Sequence, residues 1–137
     1  MDTGRYSERG AGMTGSGRPI VLLDANALMM PFQFSINLDA ELQRALPGCE
    51  PVVPSTVLGE LESLAASGGP REARAALELA RRYRVVEAEG RGDRTLLSAA
   101  KRLGAAILTN DASLRRRARE MGLRVVYMRG RSHLEVG

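Results

Sequence analysis

Three of the chain's five Asp residues stand where a carboxylate could take part in chemistry. Asp24 directly follows the apolar run 20–23, Asp111 stands in the polar segment directly after the run 105–108, and Asp93 opens a helical pattern. Each one alone is also a good turn or helix-cap residue, because a carboxylate accepts hydrogen bonds from free backbone N–H groups. Brought together, the three would repel one another unless a cation neutralised them. Such oxygen-only ligands favour Mg²⁺ or Mn²⁺ over zinc.

A further carboxylate ligand could come from a predicted helix that begins near Ser55. Successive helical residues are rotated by about 100°, which places Glu60 and Glu62 on opposite sides of an apolar stripe centred near Leu61. The spacing does not choose between the two glutamates. For either glutamate, the ordinary interpretation is a solvent-exposed charge beside this stripe.

The rare residues exclude other chemistry. A single Cys (Cys49) and a single His (His133) cannot build zinc sites that need three or four such ligands. Cys49 lies in a polar turn with no His nearby in the sequence, and His133 lies close to the C-terminus, so neither a thiol nucleophile nor a Ser/His/Asp triad is expected. Any catalysis must use carboxylates, hydroxyls, amides or Arg.

The charge balance favours a polyanionic partner. The sequence has 20 Lys and Arg residues against 16 Asp and Glu, a net charge of +4, and all but one of the basic residues are Arg. Arg suits bidentate contact with phosphate, although a GC-rich genome would also enrich Arg, Ala and Gly. With no Trp, three Tyr and two Phe, contact with nucleic acid should involve mainly the phosphate backbone.

The elements that must position these residues alternate between strand and helix. Strands are predicted at 20–23, 51–54, 84–87, 105–108 and 123–128, and helices begin near residues 37, 55, 70, 93 and 111. This alternation predicts an α/β domain with a parallel sheet covered by helices on both faces. The carboxyl ends of such strands meet at one edge, where open α/β sheets bind ligands.

The chain divides into one predicted domain and two tails. Residues 1–18 are Gly-rich and lack periodicity, which predicts a mobile tail; residues 19–130 form the domain, and residues 131–137 are a C-terminal tail that either adds a short strand or hangs loose. No apolar run approaches the ~20 residues of a membrane helix, and no signal peptide is apparent, so we expect a cytoplasmic protein without a membrane partner. A helix with Ala73, Ala76, Leu77 and Ala80 on one face serves a core or a homodimer interface equally well.

Four motifs, in this order and at these spacings, resemble a PIN-domain ribonuclease: residues 22–26, residues 57–61, Asp93 with the apolar positions that follow it, and residues 108–114. Each motif is weak alone, but four in order are fairly specific, and the resemblance covers about residues 19–130. Residues 29–34 are similar to archaeal PIN proteins near the branch that cuts ribosomal RNA precursors, more than to VapC-type toxins.

The resemblance implies a three-layer α/β/α sandwich whose acidic pocket binds Mg²⁺ or Mn²⁺ and hydrolyses single-stranded RNA. It selects Glu60 over Glu62, and the family's acidic quartet falls on Asp24, Glu60, Asp93 and Asp111. It also implies that Asn26 and Thr109 support this site, with Asn110 beside it. Gly59 departs mildly from the family, in which a bulkier residue commonly precedes the glutamate.

Exposed arginines would hold the RNA backbone in such a nuclease. The candidates are Arg115 and Arg116, which follow Asp111 on a helix, and Arg129 and Arg131, which follow a strand near the same edge. A solvated helix face explains the helical run nearly as well. The partners implied are single-stranded RNA, a second copy of the chain, and either a ribosomal precursor or an antitoxin protein.

Two readings from other classes remain open at this point. One is a PIN-fold module that binds RNA or assists assembly without cleaving, although all four acidic positions are present. The other is a phosphoacceptor receiver domain, whose acidic pocket also lies at strand ends, although a well-placed Lys after the last strands is missing.

Overall fold

In the computed structural model, which describes residues 17–137, six strands form a single sheet. The strands are β1 (Ile20–Leu23), β2 (Glu50–Pro54), β3 (Arg84–Val86), β4 (Ala106–Leu108), β5 (Val125–Arg129) and β6 (His133–Val136). Their order across the sheet is β3-β2-β1-β4-β5-β6. The first five are parallel, and β6 is antiparallel to β5.

Six helices cover the two faces of this sheet. They are α1 (Ala25–Phe34), α2 (Leu38–Ala45), α3 (Ser55–Ala66), α4 (Glu72–Ala80), α5 (Gly92–Leu103) and α6 (Ala112–Glu120). Buried residues of α1 to α4 form one hydrophobic core, and those of α5 and α6 form a second core on the opposite face. The predicted three-layer α/β/α sandwich is confirmed.

Strand β1 separates the two cores, since its four residues are completely buried or nearly so. Val21 and Leu23 face the first core, and Ile20 and Leu22 face the second, as the alternation of side chains along a strand requires. The chain passes from β1 to β2 on one side and later to β4 on the other side. The carboxyl end of β1 is therefore the switch point at which open α/β sheets form ligand crevices.

Helix α4 belongs to the core of the single chain. Ala73, Ala76, Leu77 and Ala80 are at most 8% exposed, and α4 packs against α1 and α3. The apolar face of this helix is therefore covered within the protein, which answers the choice between core and interface that the sequence left open.

Helix α1 has no counterpart among the predicted elements. Its residues 25 and 27–30 are all buried, so the helix lacks the single apolar stripe by which amphipathic helices are recognised. Pro31 lies inside it, a residue that normally argues against a helix interior. Tertiary packing overrides both local signals.

Helix α3 begins at Ser55, as predicted. Pro54 occupies the cap position before it, and the Ser55 hydroxyl exchanges hydrogen bonds with the backbone N–H and carbonyl of Ala88, which fixes the connection after β3. Helix α4 begins at Glu72 rather than at Pro70, whose carbonyl accepts a hydrogen bond from the Ala73 N–H.

The C-terminal residues expected as a tail contribute β6 to the sheet. Arg44 and Glu41 of α2 bond to the backbone carbonyl and N–H of Leu134 in that strand, so the strand is fixed on its outer side as well.

The expected N-terminal tail falls mostly on residues 1–16, outside the described part. Arg18, assigned to that tail, donates to the carbonyls of Gly48 and Cys49. Over residues 17–137, no helix has the length and apolar character needed to cross a membrane.

Candidate active site

Asp24 links the end of β1 to the start of α1. Its Oδ1 accepts a hydrogen bond of 2.7 Å from the Ala27 N–H and caps the helix. Burial raises the pKa of Asp24 to about 6, against the lowering effects of the Ala27 N–H and the Thr109 hydroxyl, and the nearby charges of Glu60 and Asp93 raise it further. Asp24 is thus a partly buried carboxylate that resists ionisation next to two other acidic groups.

Asp111 and Thr109 occupy the end of the neighbouring strand β4. The Asp111 Oδ1 caps α6 by accepting from the N–H groups of Ser113 and Leu114. Thr109 is completely buried, and its hydroxyl accepts from the Asp111 N–H at 3.1 Å while it also bonds to Asp24. This hydroxyl therefore connects the two acidic residues and supports their positions.

The two glutamates of α3 have different surroundings. Glu60 lines the cavity at the end of β1, whereas Glu62 points to Arg81, with 3.8 Å between Oε2 and Nη2. Gly59 also lines the cavity, and a Cβ added to it would meet no atom within 4 Å. The structure thus places the glutamate selected by the resemblance beside Asp24, and the other one on the surface.

Asp93 reaches the cavity from the first turn of α5, after a loop that needs glycine. Gly90 and Gly92 have φ values of +91° and +79°, in the left-handed region that disfavours other residues. The Thr95 hydroxyl donates to the carbonyls of Glu89 and Arg91 and holds this loop against the helix. Asp93 forms an ion pair with Arg117 of α6, with 3.5 Å between Oδ2 and Nη1.

These residues surround one cavity of about 720 Å³ at the carboxyl end of the sheet. Its lining includes four carboxylates from four different elements and the side chain of Asn26: Asp24, Glu60, Asp93 and Asp111. Hydroxyls along one side of α3 and the cation of Arg91 complete the polar surface. The cavity gathers the predicted acidic residues at the predicted edge of the sheet.

Comparison with known proteins assigns the chain to a family. The family model for the PIN-like domain matches residues 21–131, most of the chain. The chain belongs to the PIN-domain family. This membership decides against a phosphoacceptor receiver domain.

Individual relatives agree with the PIN assignment. The chain is 33% identical to "Ribonuclease VapC9" of Archaeoglobus fulgidus over 111 residues, which cover 79% of this chain and 82% of that protein. It is similar in structure to the PIN-domain endonuclease Utp24, with a TM-score of 0.74 and 23% identity over 86% of this chain and 90% of the other. A domain of unknown function from Methanocaldococcus jannaschii has a TM-score of 0.61 and 15% identity, over 81% and 91% of the two chains.

The donor set of this PIN domain suits a hard divalent cation. Carboxylate oxygens, a side-chain amide and hydroxyls surround the cavity, and they are the ligands that Mg²⁺ and Mn²⁺ prefer. Within residues 17–137, however, no three His, Cys, Asp or Glu side chains are gathered closely enough to hold a metal ion as they stand. The chemistry of the lining thus fits such an ion, although the carboxylates do not form a closed coordination shell.

The predicted supporting and RNA-binding residues fall in several places. Asn26 lines the cavity, but the Asn110 Oδ1 accepts from the Met128 N–H and fastens β4 to β5 instead. None of the four predicted arginines lines the cavity. Arg116 is exposed on α6, and the remaining three have other partners: Arg115 stacks on Tyr127 of β5, Arg129 pairs with Glu135 of β6, and Arg131 lies over Phe34 of α1.

One cation of the acidic cavity was absent from the prediction, Arg91, which lines the cavity. Arg117 belongs to the arginine run that was predicted to hold RNA on the helix after Asp111, and in the structure it pairs with Asp93. The sequence contained a signal for Arg91, because it stands between two glycines and two residues before Asp93. The pairing of Arg117 with Asp93 had no signal in the sequence, since the two residues are 24 positions apart in the chain.

Proposed function

We propose that this protein is a metal-dependent endoribonuclease that hydrolyses phosphodiester bonds in single-stranded RNA. The observation that carries the proposal is the convergence of Asp24, Glu60, Asp93 and Asp111 on one open cavity in a PIN domain. A similar chain named as a ribonuclease, 33% identical over most of both proteins, supports RNA as the substrate class.

The four carboxylates would hold Mg²⁺ or Mn²⁺, and such an ion supplies an activated water and neutralises charge that develops on the phosphoryl and leaving oxygens. A bound cation would favour the ionised form of Asp24 more than that of the other carboxylates, because burial destabilises the charge of Asp24. The Thr109 hydroxyl orients Asp24 and the backbone of Asp111, and Asn26 is part of the cavity lining.

Arg91 is the cation best placed to contact a phosphate at the reacting centre. It lies in the cavity lining two residues before Asp93, and the short loop Gly90–Gly92 sets its position. A flexible single strand can bend so that its scissile bond enters this concave site. A stiff duplex cannot bend in this way. Single-stranded RNA is accordingly the proposed substrate.

The test is cleavage of labelled single-stranded and duplex RNAs in the presence of Mn²⁺ or Mg²⁺. We expect cutting of the single strands, loss of cutting with a chelator, and loss of cutting in Asp24→Asn with the folded state retained. Metal-dependent binding or cutting that Asp24→Asn leaves unchanged would contradict the proposed site. RNA binding that is indifferent to chelator, with no cutting of any RNA, would favour the non-catalytic RNA-binding module.

The same active site can serve processing of ribosomal RNA precursors or a toxin of a toxin–antitoxin pair, and we propose the processing role on the likeness of residues 29–34. Copurification of the protein with ribosomal precursors is the expected result. Copurification with a small antitoxin encoded directly upstream would assign the toxin role instead.

A further inference from the structure

A second concave surface lies between α5 and α6 and has a volume of about 590 Å³. Its α5 side carries Arg94 and, two helical turns later, Lys101, with Arg102 adjacent to Lys101. Arg117 provides a fourth cation from α6. Leu97 and Met121 form an apolar floor between these charges. We call this surface the basic groove.

The charges of the basic groove are largely uncompensated. Among residues 17–137, Arg117 is the one groove cation with a carboxylate within 4.0 Å. Lys101 and Arg102 donate to backbone carbonyls, those of Met121 and Glu87, which do not neutralise their charge. Glu120 also lines the groove, so four positive side chains face a single negative one. Charge of one sign along a cleft attracts a polyanion.

The basic groove begins where the acidic cavity ends. Asp93 lines the cavity, and the next residue, Arg94, lines the groove. Arg117 lines the groove and reaches Asp93 at 3.5 Å. Both side chains of this pair are 43% exposed, and exposed pairs of this kind are weak. Arg117 can therefore exchange Asp93 for a phosphate.

We propose that the basic groove binds the sugar-phosphate backbone of single-stranded RNA on its way to the acidic cavity. Phosphates contact the four cations, and a base packs on the partly exposed Met121. From Arg94 to Arg102 the groove runs about 12 Å along α5, enough for a short stretch of strand. This inference rests on the proposed function, and it assigns the RNA path to α5 and α6 instead of the β5–β6 side.

The test compares two double charge reversals of equal total charge in an Asp24→Asn background, which prevents cutting during the measurement. One is Lys101→Glu with Arg102→Glu in the groove. The matched control is Arg71→Glu with Arg74→Glu, at exposed positions before and on α4 in the opposite layer. Binding of a short fluorescein-labelled RNA is followed by anisotropy over a series of salt concentrations, and thermal melts check that each variant folds.

We expect the groove variant to weaken RNA binding about ten-fold or more and to lower the slope of log K against log salt by about 1.4, the value for two phosphate contacts on a single strand. The control should stay within about two-fold of the parent, because a remote reversal acts only through screened long-range charge. If the groove variant does not fold, the neutral pair Lys101→Gln with Arg102→Gln replaces it, with half the charge change.

Equal binding by the groove variant and the control overturns the basic groove as an RNA site. Cleavage by the protein with Asp24 intact is measured in parallel, so metal-dependent cutting in that case leaves the proposed function standing. If the wild-type protein neither binds nor cuts RNA, both proposals fail together. Binding of polyglutamate in the groove, without RNA binding, overturns the inference in favour of an acidic protein partner.

Discussion

Asp24 shows most clearly how the fold prepares this site. The same carboxylate caps α1 through the Ala27 N–H and faces Glu60 and Asp93 across the cavity, where burial raises its pKa to about 6. A charge in such a position opposes folding in the absence of a counterion. The protein tolerates this cost because the ionised group is the one that a cation would need.

Replacing Asp24 by Asn should therefore stabilise the metal-free protein near neutral pH. Asn keeps the side-chain oxygen that accepts from the Ala27 N–H, and it removes the destabilised charge. The pKa rises from 3.8 to about 6, which corresponds to a gain of at most about 3 kcal/mol in the free energy of unfolding. Urea denaturation in chelator measures it, and a loss of stability in Asp24→Asn would contradict the raised pKa.

The pH dependence of stability supplies a separate check. The folded-state pKa of Asp24 lies above its unfolded value of 3.8, so the folded state retains the proton longer. The contribution of Asp24 to the free energy of unfolding is therefore most favourable below about pH 4 and is lost as the pH rises to about 6. The stability difference between wild type and Asp24→Asn should grow over this window and stay constant above it. A difference that is independent of pH would show that another property of the substitution is responsible.

Most of the acidic residues could be predicted as a group from the sequence, since each follows a strand or opens a helix. Glu60 could not be separated from Glu62 by spacing, because the two flank the same apolar stripe. What separates them is tertiary: one side of α3 faces the cavity and the other faces Arg81. Tertiary contacts also explain why the arginines predicted on α6 and after β5 do not line the cavity. Three of them contact Tyr127, Glu135 and Phe34 instead.

Among the elements, α2 and β6 form a contact that local sequence does not reveal. The Glu41 Oε1 accepts from the Leu134 N–H at 2.9 Å and from Arg44 at 3.1 Å, and Arg44 also donates to the Leu134 carbonyl. These side chains satisfy backbone groups of an edge strand that would otherwise be free to pair with another chain.

Removal of this contact by Glu41→Ala should cost about 1–2 kcal/mol, because it leaves the Leu134 N–H without its partner. It should also expose the outer edge of β6 and promote self-association at high concentration. Thermal melts and sedimentation velocity measure the two effects. The matched control is Glu78→Ala on an exposed position of α4, which should change neither; an equal effect of both variants would rule out a special role for Glu41.

The loop before α5 gives a second prediction about elements. Gly90 has a φ of +91°, and an added Cβ would lie 2.8 Å from the Thr95 hydroxyl that fixes the loop. Gly90→Ala should therefore destabilise the protein by about 1–3 kcal/mol. Gly59→Ala, in a helix with open space around the new methyl group, should instead stabilise it by up to about 1 kcal/mol. Urea denaturation measures the free energy of unfolding of the two variants. A destabilised Gly59→Ala together with an unaffected Gly90→Ala would contradict the proposed need for glycine in this loop.

Helices and strands could be predicted from the sequence where the apolar periodicity or a continuous apolar run was clear. Elements that depend mainly on tertiary packing were not clearly marked in the sequence. Helix α1 is buried on most sides and contains Pro31, so neither an apolar stripe nor propensity marks it. Strand β6 depends on pairing with β5 and on the side chains of α2 rather than on its own residues. Both elements are defined by partners that are distant in the sequence.

For the molecule as a whole, the sheet order explains why an acidic cavity and a basic groove lie side by side. The switch point at β1 brings α1, α3, α5 and the start of α6 to one edge. The same α5 and α6 that begin at this cavity carry the cations of the groove. The alternation of strands and helices predicted the three layers, but the neighbouring position of the two surfaces emerges only from the placement of α5 and α6 on the same face of the sheet.

The most direct test of the proposed catalytic site uses two substitutions on one helix. Glu60→Gln and Glu62→Gln change the same chemical group two residues apart, one in the cavity and one at Arg81. With Mn²⁺ and labelled single-stranded RNA, we predict that Glu60→Gln lowers the cleavage rate by more than about 100-fold, since loss of outer partners of a metal site alone costs up to that much. Glu62→Gln should cleave at the wild-type rate. Equal rates for the two variants would contradict the assignment of the cavity as the active site.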